Sequence, residues 1–139
     1  DLRRGELPHL KLNDATADVT ACFAVLHHIP TTGLRRASVE ELIRVTKPEG
    51  RIVATAWFIS DATYEEVAGS LEDDVWIPWK ADQKHSKRFV HRFTETEWKK
   101  LWTHPGLDIL KIGLFGRDDW TKDKAKARNF FVIAKKKSA

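Results

Sequence analysis

The 139-residue sequence has no methionine, a single cysteine and no long apolar run. Because no methionine stands at position 1, we expect the chain to be an internal part of a longer or processed protein. The single cysteine, Cys22, excludes a disulfide framework and favours a reducing compartment, the cytoplasm with the nucleus as the alternative. No stretch approaches the roughly 20 apolar residues that a membrane span needs, so no membrane partner is expected.

The charge is unevenly distributed, although the net charge is only +4. Residues 1–79 carry 8 Lys/Arg and 13 Asp/Glu, a balance of −5, whereas residues 80–139 carry 16 and 7, a balance of +9. This asymmetry favours a polyanion such as RNA as a partner of the second half. The alternative is an ordinary solvated surface that ends in a lysine-rich tail.

The first half of the chain predicts a loop, a strand, a helix and a second strand. Residues 1–14 are rich in turn formers and are interpreted as the end of a strand and a loop. Residues 18–25 are apolar on both faces, as in a central parallel strand. Residues 34–47 have the apolar spacing of a helix, with Arg35 and other charged residues on the solvent side. Residues 51–58 predict the next buried strand.

The second half predicts an irregular insertion, a helix and two strands. The insertion covers about residues 60–92, where a proline argues against a central strand. Thr94, with a glutamate three residues later, has the spacing of a capping box and predicts a helix to Trp102. Residues 107–115 and 128–136 predict two strands that pair antiparallel, because the linker between them is too short for a crossover helix.

This order of elements predicts an α/β fold. The strand–helix–strand unit implies a right-handed crossover between two parallel strands. The final two strands would close the sheet as an antiparallel hairpin. At this length we expect one domain at most.

Short motifs are spread over most of the chain from residue 18 onward. They are Ala24-Val25-Leu26-His27-His28, Glu41-Leu42-Ile43-Arg44-Val45 with Lys47-Pro48, Ala56-Trp57, Ile77-Pro78-Trp79, Arg88-Phe89-Val90-His91 with Phe93, and Asn129-Phe130-Phe131-Val132-Ile133-Ala134. Together they resemble class I S-adenosylmethionine-dependent methyltransferases, and within that class the tRNA wobble-uridine carboxymethyl methyltransferases. The resemblance implies the C-terminal half of a Rossmann-like sheet, with parallel strands and a closing antiparallel hairpin.

The same resemblance implies a function. S-adenosylmethionine would be the cofactor, and its methyl group would pass to the carboxylate of a modified tRNA uridine to form an ester. A small zinc-binding activator protein is implied as a further partner. Two rival functions stay open: a small-molecule methyltransferase of the same fold, and a non-catalytic subunit that binds protein or RNA.

The sequence departs from this family where the cofactor should bind. The 139 residues contain neither the glycine-rich loop that family members place against the carboxypropyl group nor the acidic residue that holds the ribose. We therefore expect residues 1–139 to form a partial methyltransferase domain with an incomplete cofactor pocket. Glu49 also stands where the family usually has a second glycine.

The resemblance places candidate cofactor-binding residues at two points. Asp1 and Leu2 would lie beside the adenine. Ala24 and Val25 end the first strand, at the side of the sheet where ligands bind in this fold. For Ala24 and Val25 the alternative is an ordinary place in the core.

Three residues are candidates for catalysis. His28 could orient an acceptor carboxylate, which needs no general base because it is already ionised; the alternative is a histidine that caps the loop. Arg88 and His91 could hold a carboxylate or a phosphate, or simply add surface charge. Trp76 and Trp79 could stack on a nucleobase or cover the core. We expect no metal, since no further ligand follows the histidine pair at metal-binding spacing.

Overall fold

The computed structural model describes residues 1–61, 73–78 and 86–138. Two α-helices and seven strands lie within this part of the chain. They are β1 (Ala17–Phe23), α1 (Thr32–Val45), β2 (Thr46–Trp57), β3 (Asp74–Pro78), β4 (Lys87–His91), α2 (Glu95–Trp102), β5 (Leu107–Phe115), β6 (Trp120–Thr121) and β7 (Asn129–Lys136). A short 3-10 helix, Leu26–His28, follows β1.

Five of the strands form one mixed sheet in the order β1-β2-β7-β5-β6. Strands β1 and β2 are parallel, and β7 runs antiparallel to both of its neighbours, β2 and β5. The predicted α/β fold, with a parallel pair and a closing antiparallel hairpin, is therefore confirmed. Since β7 opposes both neighbours, β1, β2 and β5 point the same way, and their carboxyl ends share one edge of the sheet.

The core lies between one face of this sheet and the two helices. Alternate residues of β2 and β7 face each other across the strand pair, as in the register Ala54↔Val132. They pack against α1 and against Trp98 and Trp102 of α2, both of which are fully buried. The indole Nε1 of Trp98 also donates a hydrogen bond of 3.0 Å to the Phe131 carbonyl, which fixes α2 on the sheet.

The prediction that the first strand is buried on both faces is wrong. Cys22 is buried, but Val19 and Phe23, which face the other way, are 61% and 58% exposed. The reason is topological. In the described part of the chain β1 is an edge strand, and α1 and α2 cover only the opposite face of the sheet.

Helix α1 starts at Thr32 and ends at Val45, so that it begins and ends two residues before the predicted range of 34–47. Thr31 is the N-cap, and its side chain accepts a hydrogen bond from the Leu34 amide. The helix ends at Val45 because Pro48 disfavours the helical conformation of the residue before it. The placement of Arg35 on the solvent side is also wrong, since only 4% of this residue is exposed.

The turn at the start of β2 places Glu49 in a conformation that favours glycine. Glu49 has φ 66°, a left-handed conformation that costs a side-chain-bearing residue energy. The next residue, Gly50, has no room for a side chain, because a Cβ there would lie 2.8 Å from the Lys47 carbonyl oxygen and 2.9 Å from that of Asp18. Glu49 compensates by pairing with Lys135 and accepting a hydrogen bond from Ser138.

The insertion is more regular than the sequence indicates. Strands β3 and β4 form a separate antiparallel pair, with Val75 opposite Val90. The proline that argues against a central strand ends β3, in a sheet of two strands. The sequence also predicts a short helix near residues 64–71 of the insertion, and these residues lie outside the described part of the chain.

Residues 1–16 and strand β6 also differ from the sequence predictions, whereas the start of α2 agrees with them. Residues 1–16 contain no strand, only one isolated bridge between Glu6 and His9. Strand β6 was missed, because two residues are too few to show a pattern. The capping box at the start of α2 is confirmed in both of its hydrogen bonds, between Thr94 and Glu97.

Candidate active site

The chain turns sharply where β1 ends, at the edge that also holds the end of β2. Ala24 adopts φ 55°, and its amide donates to both the carbonyl and the hydroxyl of Thr55. A left-handed alanine is uncommon, and such strain concentrates at functional sites. Val25 follows, 39% exposed, and caps the 3-10 helix that carries the two histidines.

An aromatic and cationic cluster fills the space beside this turn. The His27 ring stacks on Trp57, the last residue of β2, with 4.5 Å between centroids. The His28 ring meets the same indole edge-on at 5.4 Å. The Arg88 guanidinium lies 4.7 Å from the Trp57 ring centroid, within cation–π range. Two separate segments, the turn after β1 and strand β4, therefore meet on Trp57 of β2.

His27 is a buried, neutral member of this cluster. It is fully buried, and its Nδ1 accepts a hydrogen bond of 3.3 Å from the Trp57 amide. The proton therefore sits on Nε2, which has no hydrogen-bond partner among the described residues. Burial lowers the pKa of His27 to about 3, and the nearby positive charge of His28 and Arg88 adds to the shift. His27 thus joins the turn after β1 to the end of β2.

His28 is positioned differently and is only half-buried. Its Nδ1 lies 2.7 Å from the Phe89 carbonyl oxygen, which can only accept, so Nδ1 carries a proton. This hydrogen bond ties the loop after β1 to β4. The expected backbone hydrogen bond of a loop histidine is therefore present, and Nε2 is left for other contacts.

The structure does not bring Arg88 and His91 together. Residues three apart on a strand point to opposite faces, so the two side chains leave β4 in opposite directions. The side chain of Arg88 contacts the Trp57 ring, which the His28 ring also contacts. His91 is 5% exposed; its Nδ1 lies 2.6 Å from Asp74 Oδ1, and its Nε2 lies 3.5 Å from Glu97 Oε1.

Arg35 is the charged residue that the sequence reasoning missed. Its guanidinium donates to the Ile29 carbonyl at 2.8 Å and to the Thr32 hydroxyl at 3.2 Å. Burial lowers the pKa of Arg35, while the carboxylates of Asp74 and Glu97 counteract that shift. The signal was present in the helix register, since position 35 lies three, four and seven residues before the buried positions 38, 39 and 42.

Around Arg35 and His91 the surface forms a cavity of about 190 Å³. It lies between the start of α1, β4 and α2. Its charged lining residues are Arg35, Arg36, His91, Glu97 and Lys100. This cavity is separate from the cluster on Trp57, because His91 and Arg88 face opposite sides of β4.

The remaining predicted residues are near the surface or outside the described part. Leu2 is fully exposed, and the Asp1 carboxylate pairs with Arg3 at 2.6 Å. Trp76 is 63% exposed and meets the Phe89 ring edge-on. Trp79 lies outside the described residues.

Three further observations concern metal ligands, membrane-spanning helices and the single cysteine. They contain no group of three or more His, Cys, Asp or Glu side chains that could hold a metal ion. They also contain no helix that is both long and apolar enough to cross a membrane. Cys22 is buried, which raises the pKa of its thiol to about 11 and keeps it protonated near neutral pH.

Comparison with known proteins identifies the fold. The family described as "Methyltransferase domain" matches residues 1–54. A methyltransferase structure from Methanosarcina mazei superposes with a TM-score of 0.71 at 20% identity, covering 94% of this chain and 64% of that one. The methyltransferase in the Haloferax volcanii complex with the Trm112 activator superposes with a TM-score of 0.63 at 13% identity, covering 97% of this chain and 60% of that one.

Two curated proteins are similar in sequence. One, from Encephalitozoon cuniculi, is named as a methyltransferase and is 28% identical over 115 residues, covering 81% of this chain and 54% of that protein. The other is the tRNA (carboxymethyluridine(34)-5-O)-methyltransferase of Arabidopsis thaliana, 39% identical over 49 residues, or 35% of this chain and 12% of that enzyme. The chain thus spans about half the length of the first relative.

These matches agree with the topology described above. The chain has the fold of class I S-adenosylmethionine-dependent methyltransferases. The family match and the solved structures indicate S-adenosylmethionine as the cofactor of this domain. In open α/β sheets ligands bind beyond the carboxyl ends of the strands, the edge where Ala24, His28 and Trp57 lie.

Proposed function

We propose that this chain is part of an S-adenosylmethionine-dependent methyltransferase that methylates tRNA, with the carboxylate of a carboxymethylated wobble uridine as acceptor. The observation that carries the proposal is the convergence of a left-handed turn, two histidines and Arg88 on Trp57, at the ligand-binding edge of the sheet. The similarity to the Arabidopsis tRNA methyltransferase supports the choice of acceptor.

The residues at the end of β1 fit the adenine part of the cofactor. Ala24 has a small side chain, and its left-handed backbone turns the chain away from the direction of β1. Val25 beside it presents exposed apolar surface. An uncharged, apolar shelf of this kind suits a purine ring. We assign Ala24 and Val25 to the cofactor, with Asp1 and Leu2 beside the adenine. When bound, S-adenosylmethionine supplies an electrophilic methyl group.

Arg88 would hold the acceptor carboxylate. A guanidinium can donate two parallel N–H bonds to a carboxylate, and the contact with Trp57 orients it. The carboxylate is already ionised, so transfer needs orientation rather than a base. His28 would contact the acceptor from the other side of the turn, since its Nδ1 is already bound to the Phe89 carbonyl.

His91 would act as a positioning residue. Its Nδ1 contact with Asp74 links β4 to β3, and its Nε2 faces Glu97 of α2 at 3.5 Å. Because β4 also carries Arg88, loosening this link would let Arg88 shift relative to Trp57. A role in substrate alignment therefore fits His91 better than direct contact with the acceptor.

We also propose that residues 1–139 are the C-terminal part of a larger methyltransferase domain. The exposed apolar face of β1 supports this, since Val19 and Phe23 would be covered by preceding elements of such a domain. The Haloferax volcanii complex supports a small activator protein as a partner. Co-expression of this protein with such an activator should increase its yield and thermal stability if the two form a complex.

The decisive test combines cofactor binding with methyl transfer by the full-length protein. Calorimetry with S-adenosylhomocysteine reports on the cofactor site. Methyl transfer is then measured on an anticodon stem-loop with a carboxymethylated uridine, on the unmodified stem-loop and on small carboxylic acids. We expect binding, and transfer to the modified stem-loop alone.

Variants connect the result to the proposed site. Arg88→Gln should lower kcat/KM about 10- to 100-fold, the range expected for one charge-assisted hydrogen bond of about 1.5–3 kcal/mol. Arg51→Gln, which removes an exposed charge at the opposite end of β2, is the matched control and should have little effect. Transfer to small acids but not RNA would support the small-molecule rival, and cofactor binding without any transfer would support the non-catalytic rival.

A further inference from the structure

The loop over residues 116–128, which joins β5 to β7, lies at the same edge of the sheet as the candidate active site. Asn129, the first residue of β7, pairs with Trp57 on one side and with Phe115 on the other. The loop therefore starts two strands away from Trp57, at the end of β5, and ends one strand away, at the start of β7.

This loop carries more positive charge than its own contacts neutralise. Lys124 pairs with Glu95 at 3.3 Å, and Lys126 lies 3.9 Å from Asp123. The other three cations of the loop are exposed and have no acidic partner among the described residues. They are Arg117, Lys122 and Arg128.

Two of the three carboxylates of the loop, those of Asp119 and Asp123, are used in its own turns, and the third, that of Asp118, is exposed. Asp119 Oδ1 accepts a hydrogen bond of 2.7 Å from the Trp120 amide. Asp123 Oδ1 accepts one of 2.9 Å from the Ala125 amide. These acids hold the loop in shape, and the unpaired cations remain on its surface.

An aromatic residue lies among these cations. Trp120 is 42% exposed, and the Lys111 ammonium lies 3.7 Å from its ring centroid. On the sheet side the Trp120 ring packs against the Phe131 ring, with 4.1 Å between their centroids. Together the loop residues line an open pocket of about 720 Å³ that includes Arg117, Trp120, Lys126 and Arg128.

We propose that this loop surface, residues 116–128 with Lys111, binds the RNA strand next to the methylated nucleotide. The proposal rests on the RNA acceptor put forward above and identifies where that RNA is held. Unpaired cations neutralise phosphates, and an exposed aromatic ring contacts a base or a ribose. A membrane surface would need a row of exposed large apolar residues, and in this loop only Trp120 is one.

The test compares two charge-matched double variants of the full-length protein. Arg117→Gln with Lys122→Gln removes two unpaired cations of the loop. Arg51→Gln with Lys137→Gln removes two exposed cations at the opposite edge of the sheet. Binding to an anticodon stem-loop RNA is measured across a salt series, and binding of S-adenosylhomocysteine confirms that each variant is folded.

We expect the loop variant to bind RNA about 25-fold more weakly in 0.1 M salt, with a salt slope reduced by about 1.4, because each lost phosphate contact contributes about 0.7 to the slope. The opposite-edge variant should bind like the wild type. Equal losses in both variants would overturn the inference in favour of diffuse attraction.

If the loop variant bound RNA as tightly as the wild type, the loop surface would not be the RNA-binding site. The proposal of an RNA acceptor would be unaffected. Binding to polyglutamate with no binding to RNA would overturn both, and would indicate an acidic protein partner. Cofactor binding reports on the methyltransferase proposal independently of all these outcomes.

Discussion

The buried histidine beside the candidate site makes the stability of the protein depend on pH. His27 has a pKa of about 3 in the folded protein, because burial disfavours its charged form. In the unfolded chain the same ring has a pKa near 6.5. Between about pH 6.5 and pH 3, His27 is therefore protonated in the unfolded chain but neutral in the folded protein. The free energy of unfolding must fall as the pH decreases from 7 toward 3.

The magnitude follows from the two pKa values. At pH 7.5 the ring is neutral in both states and contributes almost nothing to the pH dependence. At pH 5.0 protonation of the unfolded chain lowers the free energy of unfolding by about 2 kcal/mol. His27→Asn removes the titration while keeping an acceptor oxygen near the position of Nδ1 for the Trp57 amide.

Urea unfolding at pH 7.5 and 5.0, followed by tryptophan fluorescence, measures the effect in wild type and variant. We expect the wild type to lose about 2 kcal/mol more than His27→Asn between these pH values. Carboxylates with lowered pKa values, such as that of Glu41, also make the free energy of unfolding fall at low pH. Their contribution is the same in both proteins and cancels in the difference between wild type and variant. Equal losses, or an NMR titration of the His27 ring near pH 6.5 in the folded protein, would refute the reasoning.

Two further predictions test local structure. Gly50→Ala should destabilise the protein by about 1–3 kcal/mol, because its Cβ would lie within 3 Å of two backbone oxygens, and thermal unfolding would show this as a lower Tm. An unchanged Tm would contradict the close contact. Thr94→Ala should lower the free energy of unfolding by about 1 kcal/mol through loss of the N-cap of α2, whereas Thr94→Ser should retain most of it. Equal losses in both Thr94 variants would show that the cap does not stabilise the helix.

Much of the fold was predictable because it depends on local sequence. The spacing of apolar residues located α1, β2, β5 and β7 to within a few residues, although β2 starts earlier than predicted. The Thr94–Glu97 capping box marked the start of α2, because a cap needs only residues close together in the chain.

The site was predictable only in part. Ala24 and His28 could be singled out because they follow directly after a strand, at the end where α/β sheets bind ligands, and their roles stay predictions. That Arg88 reaches Trp57 while His91 turns away could not be predicted, since the pairing of β3 with β4 decides which face each residue occupies. The burial of Arg35 was readable from helix register, but its charge argued for the surface.

The sequence by itself determined the order of the two helices and of β1, β2, β5 and β7, the parallel crossover and the final antiparallel hairpin, because apolar periodicity and connection length are properties of neighbouring residues. Only the tertiary structure decided which side chains meet. It placed a neutral His27 against Trp57, buried Arg35, and brought the basic loop 116–128 to the edge that holds His28. Burial and charge neighbours arise from contacts between residues far apart in the chain, and these depend on how the strands pair.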